Sequence, residues 1–102
     1  MVVFIFLKIR VTNDIRLISF GTLQTLGIEV SFVDATDVKN VEAALQTNTR
    51  LVFVETIANP VTQIADLTAI GDLCRQHDLV YCVDNTMTSP HLFLPKAVGA
   101  SL

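Results

Sequence analysis

LVYCVDNTMTSP, residues 79 to 90, passes from apolar to polar side chains at Asp84. Its first five residues are apolar and include β-branched and aromatic side chains, which is typical of a strand buried in a parallel sheet. In an open α/β sheet, ligands bind beyond the carboxyl ends of the strands. Asp84 and Thr86 therefore lie where a binding site is expected. The alternative is that Asp84 and Asn85 form only a turn that caps the next helix.

Two further apolar runs, Ile28–Val33 and Leu51–Val54, predict two more strands, and polar residues follow each of them. Between the strands, apolar residues at helical spacing predict two helices, one beginning at Thr36 or Asp37 and the other capped by Asp66. An order β-α-β-α-β with such short connections predicts parallel strands with right-handed crossovers. The fold class is therefore α/β, a mostly parallel sheet with crossover helices.

The two ends of the chain are less regular. Val2–Ile9 has the composition of a further strand, Arg10–Arg16 is interpreted as a loop, and Leu17–Leu26 as a helix that Gly27 ends. A short helical turn is expected at Pro95–Val98. Parallel sheets are normally covered by helices on both faces, and here the outer strands are left open. We therefore expect a fragment of a larger domain.

Composition excludes several classes of protein. The 102 residues are 51% hydrophobic with a net charge of -3, which indicates a folded chain and, because the basic residues are scattered, neither a nucleic-acid nor an anionic-membrane partner. The apolar run at the N-terminus is broken by Lys8 and is too short to span a bilayer. Cys74 and Cys82 have no metal-ligand spacing. They are interpreted as buried thiols in a reducing compartment, the cytoplasm, and no metal site is predicted.

Polar residues follow all three strands and, in a parallel sheet, reach one edge: Asp34, then Glu55 and Asn59, then Asp84 and Thr86. Glu55 and Asp84 are a candidate carboxylate pair for acid–base chemistry. Asn59 either presents its amide to a ligand or forms a turn with its own backbone. Each residue alone is more often structural, and together they indicate a binding site.

ETIANP, VDNTMTSP and PKAVGA occur in that order and resemble motifs of the pyridoxal-phosphate enzymes of cysteine and methionine metabolism. This family includes cystathionine γ-synthase, cystathionine γ-lyase, methionine γ-lyase and the homoserine-ester sulfhydrylases. The resemblance covers Leu17 to Leu102 and leaves Met1–Arg16 unmatched. It implies part of the large domain of a type I, aminotransferase-like transferase. It also implies a transsulfuration-type reaction that forms or cleaves a C–S bond on a sulfur amino acid such as cystathionine or a homoserine ester.

The resemblance assigns roles to the cofactor-binding candidates. Asp84 matches the aspartate that pairs with the pyridine nitrogen of pyridoxal phosphate, where a carboxylate keeps that nitrogen protonated and the ring able to accept electrons. Thr86 matches a residue beside the ring, and Asn59 matches the asparagine near its phenolic oxygen. Glu55 matches a position at the same edge for which the resemblance gives no role.

Other expected parts are not matched. The lysine that forms the family's Schiff base follows the GA-containing segment and so lies beyond Leu102, and Lys96 does not match it. The glycine-containing phosphate loop and the arginine for the substrate carboxylate are also unmatched. We therefore expect these residues alone to be inactive, with weak or absent cofactor binding. The family further implies a cytoplasmic homo-oligomer.

Two alternatives remain open from the sequence. One is a non-catalytic truncated module that associates with a full-length relative through its exposed strand edges and apolar faces. The other is a nucleotide-binding α/β domain, since fold alone does not determine function. The second is disfavoured because no GxGxxG pattern is formed by the four glycines, which are Gly21, Gly27, Gly71 and Gly99.

Overall fold

The computed structural model describes residues 3–8, 29–58 and 63–102. Four predictions lie outside the described residues: the loop at Arg10–Arg16, the helix at Leu17–Leu26, its cap Gly27 and the site residue Asn59. The strands are β1 (Val3–Lys8), β2 (Glu29–Asp34), β3 (Thr49–Glu55), β4 (Ile57–Ala58), β5 (Gln63–Ile64) and β6 (Val80–Asp84). The helices are α1 (Val38–Ala44), α2 (Leu67–Gln76) and α3 (Ser89–Leu92), followed by a 3₁₀ turn at Pro95–Val98.

The main sheet has the strand order β2-β1-β3-β6, and each neighbouring pair is parallel. The predicted α/β class with parallel strands is confirmed. The strand β1 lies between β2 and β3. At the outer edge of β6, the Leu102 amide donates to the Tyr81 carbonyl at 3.3 Å and the Leu102 carbonyl accepts from the Val83 amide at 3.2 Å. Because this is the bonding pattern of parallel strands, the last residue lies alongside β6.

One face of the sheet packs against helix α2. Alternate residues of the neighbouring strands β3 and β6 are buried on this face, namely Val52 and Val54 of β3 with Tyr81 and Val83 of β6, and the register pairs them across the two strands. The helix buries the positions that its periodicity predicts, which are Leu67, Ile70, Leu73 and Cys74. The Tyr81 hydroxyl donates to the Leu67 carbonyl at 3.0 Å, so the buried phenol is satisfied.

Helix starts agree with the sequence predictions. The side chain of Asp37 accepts a hydrogen bond from the Lys39 amide at the start of α1, and Asp66 accepts one from the Ala69 amide at the start of α2. These bonds satisfy amides that have no partner within the helix. The 3₁₀ turn at Pro95–Val98 is also as predicted. The single-turn helix α3 is absent from the prediction because four residues show no periodicity.

After Glu55 the chain leaves the main sheet. Residues Ile57–Ala58 pair antiparallel with Gln63–Ile64 as a separate two-stranded ribbon. This confirms the prediction that the segment before Pro60 does not continue as a central strand, where proline would remove a ladder donor. The departure from the sheet follows Thr56, whose amide still donates to the Asp84 carbonyl at the end of β6, at 2.9 Å.

Candidate functional site

The carboxyl edge of the sheet, defined here by the strand ends Asp34, Glu55 and Asp84, carries most of the predicted site. Glu55 and Asp84 are register partners on the adjacent strands β3 and β6, so their side chains project from the same face of the sheet. Asp34 ends β2, which is separated from β3 by β1. The structure therefore brings Glu55 and Asp84 together and leaves Asp34 apart from them.

Asp84 and Thr86 form a local turn at the end of β6. Oδ1 of Asp84 accepts hydrogen bonds from the Thr86 amide, at 3.0 Å, and from the Thr86 hydroxyl. Asp34 and Thr36 repeat this arrangement after β2, with distances of 3.0 Å and 2.7 Å. The predicted turn at Asp84 is therefore present, but the N-cap of the next helix, α3, is Thr88 and not Asp84 or Asn85. Because the same turn occurs twice, the turn alone does not distinguish a binding residue from a structural one.

The surroundings of the two aspartates differ. Asp34 is exposed, and the hydrogen bonds from the Thr36 hydroxyl and amide lower its pKa. Asp84 is half-buried and lies beside a second carboxyl group, that of Glu55. Both of the hydrogen bonds from Thr86 end on Oδ1, so Oδ2 is the Asp84 oxygen left for a ligand by the described residues.

Glu55 is a half-buried acid on β3, next to Asp84 of β6. Its Oε2 atom is buried and has no hydrogen-bond partner in the part of the chain that the structure describes. Burial raises the pKa of the Glu55 carboxyl, and the neighbouring Asp84 raises it further. A buried polar atom without a partner is uncommon in folded proteins and calls for an explanation. Glu55 therefore differs from the other described acids at this edge in having a buried carboxyl oxygen without a hydrogen-bond partner among the described residues, and its pKa is raised.

A network of one buried and two half-buried polar side chains, those of Thr56, Asn85 and Thr88, holds the backbone of Asp84. Thr56 is 4% exposed. Its amide and its hydroxyl both donate to the Asp84 carbonyl, at 2.9 Å and 3.3 Å, and its hydroxyl lies 3.3 Å from that of Thr88. The Thr88 hydroxyl donates to Asn85 Oδ1, and Asn85 Nδ2 donates to the Phe93 carbonyl at 2.9 Å. The network ties the end of β3 to the loop after β6.

Thr56 was not among the predicted site residues. Its sequence signal is weak, because a threonine one residue beyond a strand is usually an exposed loop residue. Asn85 and Thr88 are polar residues that follow a strand, and such residues most often form a turn. Their joint role depends on β3 and β6 being neighbours, and local pattern does not determine which strands are neighbours.

Within the ranges 3–8, 29–58 and 63–102, no group of three or more His, Cys, Asp or Glu side chains is arranged to hold a metal ion. Over the same residues, no helix combines the length and the apolar character needed to cross a membrane.

A parallel sheet with crossover helices, and with polar side chains at the carboxyl ends of its strands, places the protein in the α/β class, in which ligands bind beyond those strand ends. Comparison with known proteins then identifies the family. Residues 14–102 match the model of the Cys/Met metabolism PLP-dependent enzymes. Cystathionine γ-lyase of Bacillus subtilis is 38% identical over 80 residues, which are 78% of this chain and 21% of that enzyme.

Solved structures agree with the sequence match. O-acetylhomoserine sulfhydrylase of Wolinella succinogenes superimposes with a TM-score of 0.88 at 37% identity, covering 97% of this chain and 28% of that chain. A Campylobacter jejuni protein proposed to be an O-acetylhomoserine (thiol)-lyase superimposes with a TM-score of 0.89 at 28% identity, covering 96% and 24% of the two chains. That structure contains N'-pyridoxyl-lysine-5'-monophosphate.

This chain belongs to the Cys/Met metabolism family of pyridoxal-phosphate-dependent enzymes. The family predicted from the ETIANP, VDNTMTSP and PKAVGA motifs is confirmed. The chain spans about a fifth of the length of the curated relatives that it matches, 21% in the Bacillus subtilis enzyme. The fold is accordingly part of the large domain of this family of enzymes. The cofactor of the family is pyridoxal phosphate.

The residues at the carboxyl edge of the sheet are chemically suited to the pyridine-nitrogen end of pyridoxal phosphate. A protonated ring nitrogen is a cationic donor, and Asp84 offers it a half-buried carboxylate with Oδ2 available. Charge-assisted hydrogen bonds of this kind are stronger than neutral ones. The unpartnered Oε2 of Glu55 shows that the described residues leave polar capacity unused at the same place.

Proposed function

We propose that this chain supplies the part of a transsulfuration-type enzyme that holds the pyridine ring of pyridoxal phosphate. The observation that supports the proposal is the half-buried Asp84 at the carboxyl end of β6, anchored through its backbone by Thr56 and paired in register with Glu55. Asp34 forms the same turn without a carboxylic acid as its register partner on β1, and its carbonyl accepts from the exposed Asn40 side chain, at 3.2 Å, and not from a buried threonine.

Each residue has a distinct proposed task. Asp84 accepts a hydrogen bond from the ring nitrogen and keeps the proton on that atom. Thr86 occupies Asp84 Oδ1 and so orients the carboxylate toward the ring. Asn59 is assigned to the phenolic oxygen from the family resemblance. Glu55 acts at the same edge, on Asp84. When bound, pyridoxal phosphate supplies an electron-withdrawing ring for carbanion chemistry on an amino acid.

The reaction that we propose is formation or cleavage of a C–S bond on a sulfur amino acid. The relatives that support this class include a cystathionine γ-lyase and an O-acetylhomoserine sulfhydrylase, so both directions are represented among them. In the complete enzyme, the lysine that carries the cofactor lies outside these 102 residues, and the enzyme is a cytoplasmic homo-oligomer. The 102 residues alone are expected to be inactive.

The proposal is tested by measuring pyridoxal-phosphate affinity in the complete enzyme. Asp84→Asn should weaken binding by about tenfold or more, because hydrogen bonds to charged groups contribute about 1.5–3 kcal/mol. Asp34→Asn is a matched control, since it changes the same residue type in the same turn at the same edge. It should leave affinity unchanged. Equal effects of the two substitutions would contradict the proposal.

A second experiment concerns the 102 residues alone. With added pyridoxal phosphate, the absorbance spectrum should equal that of free cofactor, and borohydride should fix no cofactor to the chain. Covalent fixation at Lys8, Lys39 or Lys96 would show a reactive lysine within this chain. That result would contradict the assignment of the cofactor lysine to a segment outside these residues.

A further inference from the structure

The loop that follows Asp84 makes more side-chain hydrogen bonds than its turn requires. The turn itself is formed by Asp84 and Thr86. The corresponding turn after β2 leads directly into α1, which Asp37 caps. After β6, two further side chains, those of Asn85 and Thr88, are half-buried and hydrogen-bonded to each other. The proposed function gives these two residues no task.

The hydrogen bonds between these side chains run in one direction. A threonine hydroxyl has one proton to donate. Thr88 donates its proton to Asn85 Oδ1, so it is the acceptor at the 3.3 Å contact between its hydroxyl and that of Thr56. The Thr56 hydroxyl is the donor at that contact and also lies 3.3 Å from the Asp84 carbonyl, to which it donates. The order is therefore from Thr56 through Thr88 to Asn85.

Asn85 holds the other end of the loop. Its Nδ2 donates to the Phe93 carbonyl at 2.9 Å, and its backbone carbonyl accepts from the amides of Thr88 and Ser89 at 3.3 Å and 3.0 Å. Ser89 has a φ of 57°, and a proline follows it. A residue other than glycine is uncommon in this left-handed region, and such a conformation persists where the surrounding contacts fix it. The contacts of Asn85 are therefore part of what fixes the loop.

The bonds differ in what they can hold in place. Those from Thr86 to the Asp84 carboxylate lie within the loop and move with it. Thr56 is 28 positions from Asp84 in the sequence and comes from the end of β3. The Thr56 amide holds only the Asp84 carbonyl, at 2.9 Å. The contact between the Thr56 and Thr88 hydroxyls extends this connection past Asp84 to the rest of the loop.

We infer that Thr88 is a positioning residue for the contact between Asp84 and the pyridine nitrogen, and that it acts through Thr56 and Asn85. The peptide group between Asp84 and Asn85 is held at its carbonyl by Thr56 and at the following side chain by Thr88. A carboxylate on a backbone held in this way keeps its direction toward a ligand. The identity of that ligand rests on the proposed function, whereas the hydrogen bonds do not.

The test is a double-mutant cycle on pyridoxal-phosphate affinity in the complete enzyme. Thr88→Val keeps the shape of the side chain and removes its hydroxyl. It should weaken affinity about two- to tenfold, the range that one net hydrogen bond supports. In an Asp84→Asn background, the same substitution should change affinity by less than about twofold, because the charged contact that Thr88 positions is already absent. Equal fold-changes in the two backgrounds would overturn the inference.

Further variants separate positioning from a general effect on folding. Thr88→Ser retains the hydroxyl and should bind the cofactor as the wild type does. Asn85→Ala removes the acceptor of the Thr88 proton and should show the same dependence on Asp84, which provides a second cycle if Thr88→Val does not fold. Thr68→Val makes the matched change at an exposed position of α2 and should leave affinity unchanged. A Thr88→Ser protein that binds as weakly as Thr88→Val would also overturn the inference.

The same affinities separate this inference from the proposed function. If Asp84→Asn weakens binding and neither Thr88→Val nor Asn85→Ala does, only the inference fails. If Asp84→Asn itself leaves affinity unchanged, the proposed place of the ring beside Asp84 fails, and the inference fails with it.

Discussion

Asp34 and Asp84 accept the same pair of hydrogen bonds from a threonine two residues later. One is exposed at the outer strand, and the other is half-buried beside a second acid. At the scale of the residue, the chemistry therefore depends on the neighbours and not on the Asp-x-Thr pattern. The sequence could predict the turn in both places, because the turn is local. It offered no means of ranking the two aspartates without the family resemblance.

The ionisation of Glu55 predicts a pH effect on stability. Its pKa in the folded protein is raised above the ordinary value of 4.5. The protonated acid is favoured in the folded state, so this contribution is fully present below pH 4.5 and is lost as pH rises through the folded pKa. Glu55→Gln removes the titration. Relative to wild type, the variant should become more stable as pH increases across this range.

The measurement for Glu55 is the free energy of unfolding in urea at about pH 4 and about pH 7, values on either side of the ordinary glutamate pKa. Glu42→Gln is the control, because Glu42 is an exposed glutamate on α1. It makes the same change of residue type at an exposed position, so comparison with it isolates the effect of the surroundings of Glu55. A Glu55→Gln difference that is constant between the two pH values would contradict the assigned environment of Glu55.

Thr56→Val tests the anchor of Asp84. The substitution keeps the shape of the side chain and removes the hydroxyl that donates to the Asp84 carbonyl and lies 3.3 Å from the Thr88 hydroxyl. We expect a loss of about 0.5–1.5 kcal/mol in the free energy of unfolding, which is the net contribution of one hydrogen bond. Thr68→Val, at an exposed position of α2, should change stability by less than about 0.5 kcal/mol. Equal losses would contradict the anchoring role.

At the scale of the element, helix α2 and the 3₁₀ turn meet at Gly71. A Cβ atom at this position would lie 1.8 Å from the Val98 carbonyl oxygen, which belongs to the backbone. Gly99 ends the turn in the left-handed conformation with φ of 84°, where glycine avoids the strain of a side chain. These two glycines allow the segment before Ser101 to pack against α2 and to reach the edge of β6.

Gly71→Ala should therefore destabilise the protein although alanine favours helices. Helix propensity alone would stabilise the variant by about 1 kcal/mol. The clash with a backbone atom should exceed that gain, with a net loss of about 1–3 kcal/mol. Thr68→Ala, on an exposed turn of the same helix, reports propensity without the clash and should not destabilise. The measurement is the free energy of unfolding of both variants in urea. A Gly71→Ala protein that is more stable than wild type would contradict this packing.

Elements with strong periodicity were predictable because burial imposes a regular pattern on them. The inward positions of α2, its cap Asp66 and the strand at β6 are examples. The pairing of strands that are distant in sequence was not predictable in the same way. Nothing in Val3–Lys8 indicates that this strand lies between β2 and β3, because strand order is decided by packing of the whole sheet. Asn59 lies outside the described residues, so its assignment stays a prediction.

At the scale of the whole molecule, the parallel sheet gathers residues from separate segments at one edge. Glu55 and Asp84 are 29 positions apart in sequence and become register partners only because β3 and β6 are neighbours. Leu102 continues the same hydrogen-bonding pattern at the outer side of β6, so β6 is bonded on both sides. A strand held in this way provides a rigid base for Asp84, as precise placement of a functional group requires.

The central claim is that Asp84 holds a protonated ring nitrogen. It is tested most directly by the ¹⁵N NMR spectrum of pyridoxal phosphate, labelled at the ring nitrogen and bound to the complete enzyme. The account predicts a protonated nitrogen in the wild-type enzyme and in Asp34→Asn, and an unprotonated nitrogen in Asp84→Asn. The same protonation state in all three proteins would contradict the account.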